Sequence, residues 1–215
     1  MPGGLVVETN LADLVKRGLT SLKIEADPDC VDKLVRYLDL LLKWNKVYNL
    51  TAIRDPQRMV SHHLLDSAAV LPYLPEGDML DVGTGPGLPG IPLAILRPTS
   101  KVTLLDVIQK KTAFLRQAVG DLNLSNVDVI CERVEAWAPA RQFPLIMSRA
   151  FSELADFVRS AEHLLADGGR FAAMKGIYPR DEIERLPPQF HVERVVELNV
   201  PGIDAQRHLV MIGRT

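Results

Sequence analysis

The stretch Met79-Leu80-Asp81-Val82-Gly83-Thr84-Gly85-Pro86-Gly87-Leu88-Pro89-Gly90-Ile91-Pro92 decides how the rest of the chain is read. A short apolar run ends in an acid, bends through glycines at alternate positions, and enters an apolar segment of helical character. Glycines at 83, 85 and 87 permit positive φ and let a ligand approach the backbone where a Cβ would collide. A strand, a glycine loop and a helix in that order form the junction at which open α/β sheets bind nucleotide-like ligands. A glycine-rich turn with no ligand is the plainer alternative.

Two ligand classes compete for such a junction. Gly85-Pro86-Gly87-Leu88-Pro89-Gly90 fits the dinucleotide pattern G-x-G-x-x-G, and Asp106 lies 21 residues beyond Gly85, near the position of a ribose-binding acid. A pyrophosphate, however, needs free backbone N–H groups at a helix N-terminus. Pro86 and Pro89 each lack one, and Asp81 would set a carboxylate close to the phosphates. A ligand with no phosphate and a positive sulfonium, S-adenosylmethionine, suits the loop better than NAD or FAD.

Outward from the loop, apolar β-type runs alternate with amphipathic segments: Met79–Val82, helix Leu88–Leu96, Lys101–Val107, helix Lys110–Leu122, Val127–Cys131, Leu145–Met147, helix Leu154–Leu165 and Arg170–Met174. That alternation predicts βαβ units and a mostly parallel sheet buried on both faces. Val192–Val200 and His208–Ile212 follow with no comparable helix between them and read as an antiparallel edge, with Gly202 and Asp204 in the turn. Upstream, residues from about 5 to 75 read as helical. Val31, Leu34, Val35, Leu38, Leu41 and Leu42 make one apolar stripe behind the Asp27-Pro28 start signal, and a further helix runs through His62–Leu71. The expectation is an α/β fold with a Rossmann-like, seven-stranded sheet. It forms a single domain in which 1–76 is a helical N-terminal cap and 77–215 the catalytic core.

The 215 residues are 47% hydrophobic and 24% charged, with no apolar run of membrane-spanning length. The beginning of the chain carries Glu8 and Asp13 inside its apolar stretch and lacks the order of a secretory signal. Cys30 and Cys131 are far apart and lack metal-type spacing, so a cytoplasmic protein with reduced thiols is expected; a monomer is expected as well. The net charge of −2 gives no bulk sign of nucleic-acid binding. From Arg36 to His63, though, five basic residues face two acids, which permits RNA binding and equally describes a solvated helix face.

Asp106 ends the second strand, where an acid accepts both ribose hydroxyls of a nucleoside ligand, or simply caps the next helix. Glu135, after the third strand, is placed to accept from an adenine amine with Val134 beside the ring; a surface carboxylate is the alternative. The fourth strand ends in Met147-Ser148-Arg149-Ala150-Phe151, the position that faces the methyl group in methyltransferases with this sheet. The Asn/Asp-Pro-Pro-aromatic segment of exocyclic-amine methylation is absent there. Cys131 sits at a packing position rather than that of a pyrimidine-attacking nucleophile. A ring nitrogen such as guanine N7, which offers a free lone pair and needs no general base, remains as the most compatible target.

Asp81-Val82-Gly83-Thr84-Gly85-Pro86-Gly87-Leu88-Pro89-Gly90-Ile91-Pro92-Leu93 closely resembles the signature of the RsmG (GidB) family of bacterial methyltransferases acting on guanine N7 of small-subunit ribosomal RNA. The resemblance extends to Trp44-Asn45-Lys46-Val47-Tyr48-Asn49-Leu50-Thr51, His63-Leu64-Leu65-Asp66-Ser67, Ser148-Arg149-Ala150-Phe151 and Met174-Lys175-Gly176, in the family's order. Many members carry an aromatic residue where this chain has Leu88, and Thr84 and Pro86 replace a smaller pair. The resemblance implies S-adenosylmethionine contacts at Gly83, Leu88, Val134, Glu135 and Arg149. Asp81, Gly85 and Asp106 join them on the physical grounds above, and no metal is expected. The implied substrate is 16S ribosomal RNA, within the small subunit or an assembly intermediate.

Arg149 then stands where cofactor and base meet, as the candidate catalytic residue, holding a carboxylate or phosphate in its planar fork. A structural ion pair is the other reading of it. His63, Asp66 and Ser67 share one helix turn and, with Lys175, are the substrate-side candidates, although the helical cluster equally suits anchoring the cap. Trp44 and Tyr48, four apart, either stack a base or pack the helix.

Overall fold

The computed structural model describes residues 10–215. The helical reading of residues 5 to 9 therefore lies outside the described residues. Helix α1 (Leu11–Ser21) starts at Asn10, whose side chain accepts from Ala12 N. Helix α2 (Pro28–Tyr48) is capped by Asp27, whose Oδ1 lies 2.7 Å from Cys30 N, with Pro28 in its first turn. It ends where Asn49 takes the left-handed conformation (φ 49°).

A third helical stretch was expected over His62–Leu71 but runs over 56–68. It comprises α3 (Pro56–Met59), a π-helical turn (Val60–Leu65) and α4 (Asp66–Ala68). Asp55 caps it and Pro56 opens it, so the helix starts ahead of the expected segment. The π turn has no sequence signature; it shifts the register of every side chain after it.

Seven strands follow: β1 (Met79–Val82), β2 (Val102–Leu105), β3 (Val127–Ile130), β4 (Phe143–Ser148), β5 (Leu165–Lys175), β6 (Phe190–Glu197) and β7 (His208–Arg214). Their spatial order is β3-β2-β1-β4-β5-β7-β6. The first five are parallel, and β7 runs antiparallel between β5 and β6. Helices α5 (Gly90–Leu96), α6 (Gln109–Asp121) and α7 (Leu154–Ala161) make the crossovers, and the short α8 (Arg180–Glu184), which the sequence reading missed, precedes β6. β5 begins earlier than expected because α7 stops at Ala161 and a tight 3-10 turn leads straight into the strand.

Alternation along the buried strands feeds two cores. Met79, Leu104, Leu145 and Met147 face the same cluster as Val15, Leu34, Leu64 and Leu93, so the N-terminal helices and one sheet face share a single hydrophobic interior. Leu80, Val82, Ile146 and Phe171 face α7 on the other side, with Phe151, Phe157, Phe171 and Phe190 packed ring to ring at 5.2 to 5.7 Å.

The chain moves from β1 outward to β3, then returns to start β4 on β1's other edge. This reversal is the switch point at which an open sheet presents a crevice beyond its carboxyl ends. Gly83 and Ala150, the loop residues just past β1 and β4, come together there: a Cβ on Gly83 would lie 2.8 Å from that of Ala150.

Candidate active site

The loop after β1 is a closed hydrogen-bonded structure. The N–H groups of Gly83 and Thr84 both donate to Leu105 O, and those of Gly87 and Leu88 to Thr84 O. Gly85 N donates to Asp106 Oδ2 (2.9 Å) and Gly90 N to Asp81 Oδ2 (2.8 Å). Pro86 and Pro89 have no N–H to give. Every backbone donor from 83 to 90 is thus committed to a protein acceptor, and a carboxylate lies on the start of α5. A pyrophosphate finds neither free donors nor a favourable field here.

Asp81 is the electrostatic centre of this loop. It is fully buried, and its Oδ2 accepts from Gly90 N and from Thr84 Oγ1 at 2.6 Å. Its Oδ1 is buried with no partner at all. Burial pushes the carboxyl up to about 7, against the pull of its two hydrogen bonds and the Arg149 charge. A half-satisfied buried carboxylate gains most from a cation. The ammonium and sulfonium of S-adenosylmethionine fit that requirement; a phosphate does not.

Gly85 supplies the opening. Its φ is +61°, and a Cβ there would meet nothing closer than Gly83 O at 4.0 Å, so the position is not filled by packing. Beside it lies a cleft of about 280 Å³ walled by Gly83, Asp106, Val134, Glu135, Ala150 and Phe151, among others. Four of the sequence candidates, from the loops after three different strands, therefore come together around one cavity.

Asp106 caps the next helix, as one of its two readings has it, and also lines the cleft. Its Oδ1 accepts from Ile108 N at the start of α6, while Oδ2 holds Gly85 N and lies 3.5 Å from Lys111 Nζ. A lone pair remains on Oδ1 at the cleft wall. Val134 is buried and Glu135 exposed, and both line this cleft. Leu88 differs from expectation. Its side chain is enclosed in the core beneath the loop, because the turn at 84–88 directs it inward, so contact with a ligand is left to its backbone.

Arg149 stands one residue past β4, in the wall of a second cleft of about 420 Å³ that His62, His63, Asp66, Arg207 and His208 also line, while the next two residues, Ala150 and Phe151, line the first. The sequence reading gave its buried charge a cofactor or RNA partner. The structure supplies a protein partner as well: Arg149 Nη1 donates to Asp66 Oδ2 (3.1 Å) and to His62 O (3.3 Å). Asp66 Oδ1 accepts in turn from Arg207 Nε at 3.0 Å. Arg207 lies in the turn before β7, 141 positions from Asp66, and nothing in its local sequence marks it.

Three substrate-side candidates change character. Ser67 is fully enclosed and bonds back to His63 O within its helix, so it is closed to substrate. Lys175 is paired with Glu182 (2.6 Å) and donates to Ser152 O (2.7 Å) and Phe151 O (3.2 Å), so it braces the loop after β4 instead of offering a free charge. His63 is buried, with Nε2 2.9 Å from Thr51 Oγ1 and Nδ1 unpartnered; burial and the Arg149 charge push it down to about 4. It is neutral near pH 7.

Trp44 packs edge-on against Phe114 (5.6 Å) and beside Tyr48 (5.1 Å), so the helix-packing reading applies to it. Cys131 falls just past β3 and is partly exposed rather than packed inside. Among the described residues there is no cluster of side chains suited to a metal, and no helix is long and apolar enough to cross a membrane.

Comparison with known proteins places the fold and the family. Solved structures of low identity share the fold: TrmN from Thermus thermophilus (22% identical, TM-score 0.57, 73% of this chain and 53% of that one) and a protein in the NADB-Rossmann superfamily from Streptococcus agalactiae (17% identical, TM-score 0.58, 69% and 67%). Sequence relatives are far nearer. Proteins named ribosomal RNA small subunit methyltransferase G are 54% identical in Laribacter hongkongensis (95% of this chain, 99% of that one) and 55% identical in Chromobacterium violaceum (91% and 94%). One in Neisseria gonorrhoeae is 53% identical (93% and 97%). Residues 30–210 match the GidB family, described as rRNA small subunit methyltransferase G, and the chain belongs to that family.

Proposed function

We infer that the protein is an S-adenosylmethionine-dependent methyltransferase acting on 16S ribosomal RNA, with N7 of a guanine as the methylated atom. Family membership supports the enzyme class and the ribosomal substrate. The observation that carries the cofactor assignment is the unpartnered, buried Asp81 Oδ1 beneath a loop with no free N–H. The choice of N7 rests on the chemistry missing from the end of β4, where no amine-polarising segment and no cysteine stands. The site's cytoplasmic setting, its small-subunit or assembly-intermediate substrate and action as a monomer are part of the same proposal. So is the joint working of the 1–76 cap with the 77–215 core.

When bound, S-adenosylmethionine supplies an electrophilic methyl carbon on a positive sulfur. The residues of this chain bind and orient. Asp81 would supply the counter-charge beneath the cationic methionyl end, Asp106 would accept from the ribose hydroxyls, and Val134 and Glu135 would flank and accept from the adenine. Guanine N7 carries its lone pair at neutral pH, so no side chain has to remove a proton, and His63 is present as a neutral imidazole. Alignment of the base with the methyl group supplies most of the acceleration. Arg149, in the wall of the second cleft, fixes the nucleotide against the cofactor, and its fork suits a phosphate or carboxylate oxygen pair.

Mass-spectrometric mapping of methylated guanine in 16S RNA, after incubation with S-adenosylmethionine and this protein, tests the assignment. A single new N7-methylguanine is expected. Methylation at another atom would overturn the N7 choice, and thermal stabilisation by NAD rather than S-adenosylhomocysteine would overturn the cofactor.

A further inference from the structure

Arg149 and Arg207 come from distant parts of the chain, yet both rest on one carboxylate. Asp66, 4% exposed at its side chain, gives Oδ2 to Arg149 Nη1 and Oδ1 to Arg207 Nε. Each guanidinium is also fixed by a backbone carbonyl: Arg149 Nη1 by His62 O, and Arg207 Nη1 by Gln206 O at 2.8 Å. Among the described residues neither Nη2 has a protein acceptor. Both arginines keep about a quarter of their side-chain surface open, 29% and 25%. Asp66 is the sole acid on the cleft wall, and Lys175 is already neutralised by Glu182. The cleft therefore holds two half-free forks side by side and a net positive charge.

We propose that Arg149 and Arg207 form a two-pronged clamp for one backbone phosphate next to the target base, and that Asp66 is the positioning residue aiming both forks. This rests on the RNA methyltransferase reading above. A carboxylate that touches both guanidiniums brings the two forks to one cleft wall, and planar forks bind the paired oxygens of a phosphodiester better than ammonium groups do. The π-helical turn Val60–Leu65 sets the register that brings Asp66 into the cleft; such turns occur often at functional sites. Ala150 and Phe151, directly after Arg149, wall the neighbouring cofactor cleft, so a phosphate held here is next to the methyl donor.

The methionine carboxylate is the other anion within reach of Arg149, and the test separates the two. Affinity for a fluorescein-labelled, guanine-containing RNA oligonucleotide is measured against salt, affinity for S-adenosylhomocysteine by calorimetry, and kcat and KM with deproteinised 16S RNA. Arg207→Gln should weaken RNA binding about tenfold and flatten the log–log salt slope by about 0.7, the share of one single-strand phosphate, with S-adenosylhomocysteine affinity unchanged. Arg207→Lys should restore the salt slope but leave kcat down by about tenfold, because the charge returns without the fork.

Asp66→Asn discriminates further. It removes a negative charge, so a cleft acting through net charge alone would bind RNA more tightly and turn over normally. The positioning role instead predicts kcat lowered about tenfold at nearly constant KM, because the forks keep their charge and lose their aim. Full kcat in a folded Asp66→Asn protein overturns the positioning role. Should that variant not fold, full kcat in Arg207→Lys overturns the clamp in its place. Loss of S-adenosylhomocysteine affinity in Arg207→Gln with RNA affinity intact would assign the forks to the methionine carboxylate. A wild-type protein that methylates no ribosomal RNA would defeat the functional reading, while the RNA-affinity comparison would still decide the clamp.

Discussion

Replacing Asp81 by Asn should make the protein more stable in mild alkali and at the same time weaken its hold on S-adenosylmethionine. The wild-type carboxyl is pushed up to about 7 by burial, while in the unfolded chain it ionises at its model value of 3.8. Between these values the folded state keeps a proton that the unfolded state has released, so Asp81's contribution to stability is lost as pH rises and levels off above about 7. From pH 5 to pH 8 two of those units are crossed, about 3 kcal/mol at 1.36 kcal/mol per unit. Asn cannot titrate. Its carbonyl can keep the bonds from Thr84 and Gly90 while its amide nitrogen takes the unpartnered place of Oδ1, at a pH-independent cost of about 1–3 kcal/mol.

The stability difference between Asp81→Asn and wild type should therefore move by about 3 kcal/mol in the variant's favour from pH 5 to pH 8, about 6 to 12 °C in melting temperature. His63 acts in the opposite sense in both proteins. Pushed down to about 4, it adds stability as pH rises towards its ordinary 6.5, and it cancels in the comparison. Cofactor binding reverses the sign for Asp81, because a cation favours the ionised form. Wild-type affinity for S-adenosylhomocysteine should be about tenfold weaker at pH 6 than at pH 8, and this dependence should vanish in the variant. Thermal unfolding and calorimetry across that range give both readings. A flat stability difference, or wild-type binding indifferent to pH, would refute Asp81 as a buried counter-charge awaiting a cation.

Gly85→Val should abolish S-adenosylhomocysteine binding in a folded protein, since the position is left-handed and its Cβ would point into open ligand space; unchanged calorimetry would move the ligand elsewhere. Gly90→Ala should instead unfold the site itself, because its Cβ would lie 2.2 Å from Leu104 Cδ2 and 2.9 Å from Asp81 Oδ2, and circular dichroism should show an early melt. Asp106→Ala should cost about 1.5–3 kcal/mol of cofactor affinity, some of it through release of Gly85 N. Arg149→Ala should lower methyl transfer about 100- to 1000-fold, with Arg149→Lys recovering little, and a fully active Arg149→Ala protein would remove it from the site.

Much of the sheet was legible along the chain. Buried parallel strands are continuous apolar runs, so Met79–Val82 and Val102–Leu105 announce themselves locally, as does the helix spacing of Val31 to Leu42. The glycine loop was legible for the same reason: positive φ and missing N–H groups are properties of the residues there, and Asp81, Gly85 and Asp106 follow from them. Helix ends and the long β5 were less legible, because they depend on a 3-10 turn after Ala161 that has no strong local signal.

The second cleft could not be read in this way. Asp66, Arg149 and Arg207 are separated by 83 and 141 positions, and a carboxylate's choice of partners depends on which loops the sheet order brings to its carboxyl edge. Local pattern named Asp66, Ser67 and Lys175 together, yet the folded chain turns Ser67 into its own helix, ties Lys175 to Glu182, and leaves Asp66 between two arginines. Periodicity and glycine chemistry are short-range, so they are written in neighbouring residues. Ion pairing is long-range in sequence and short-range in space, so only the packed fold assigns it.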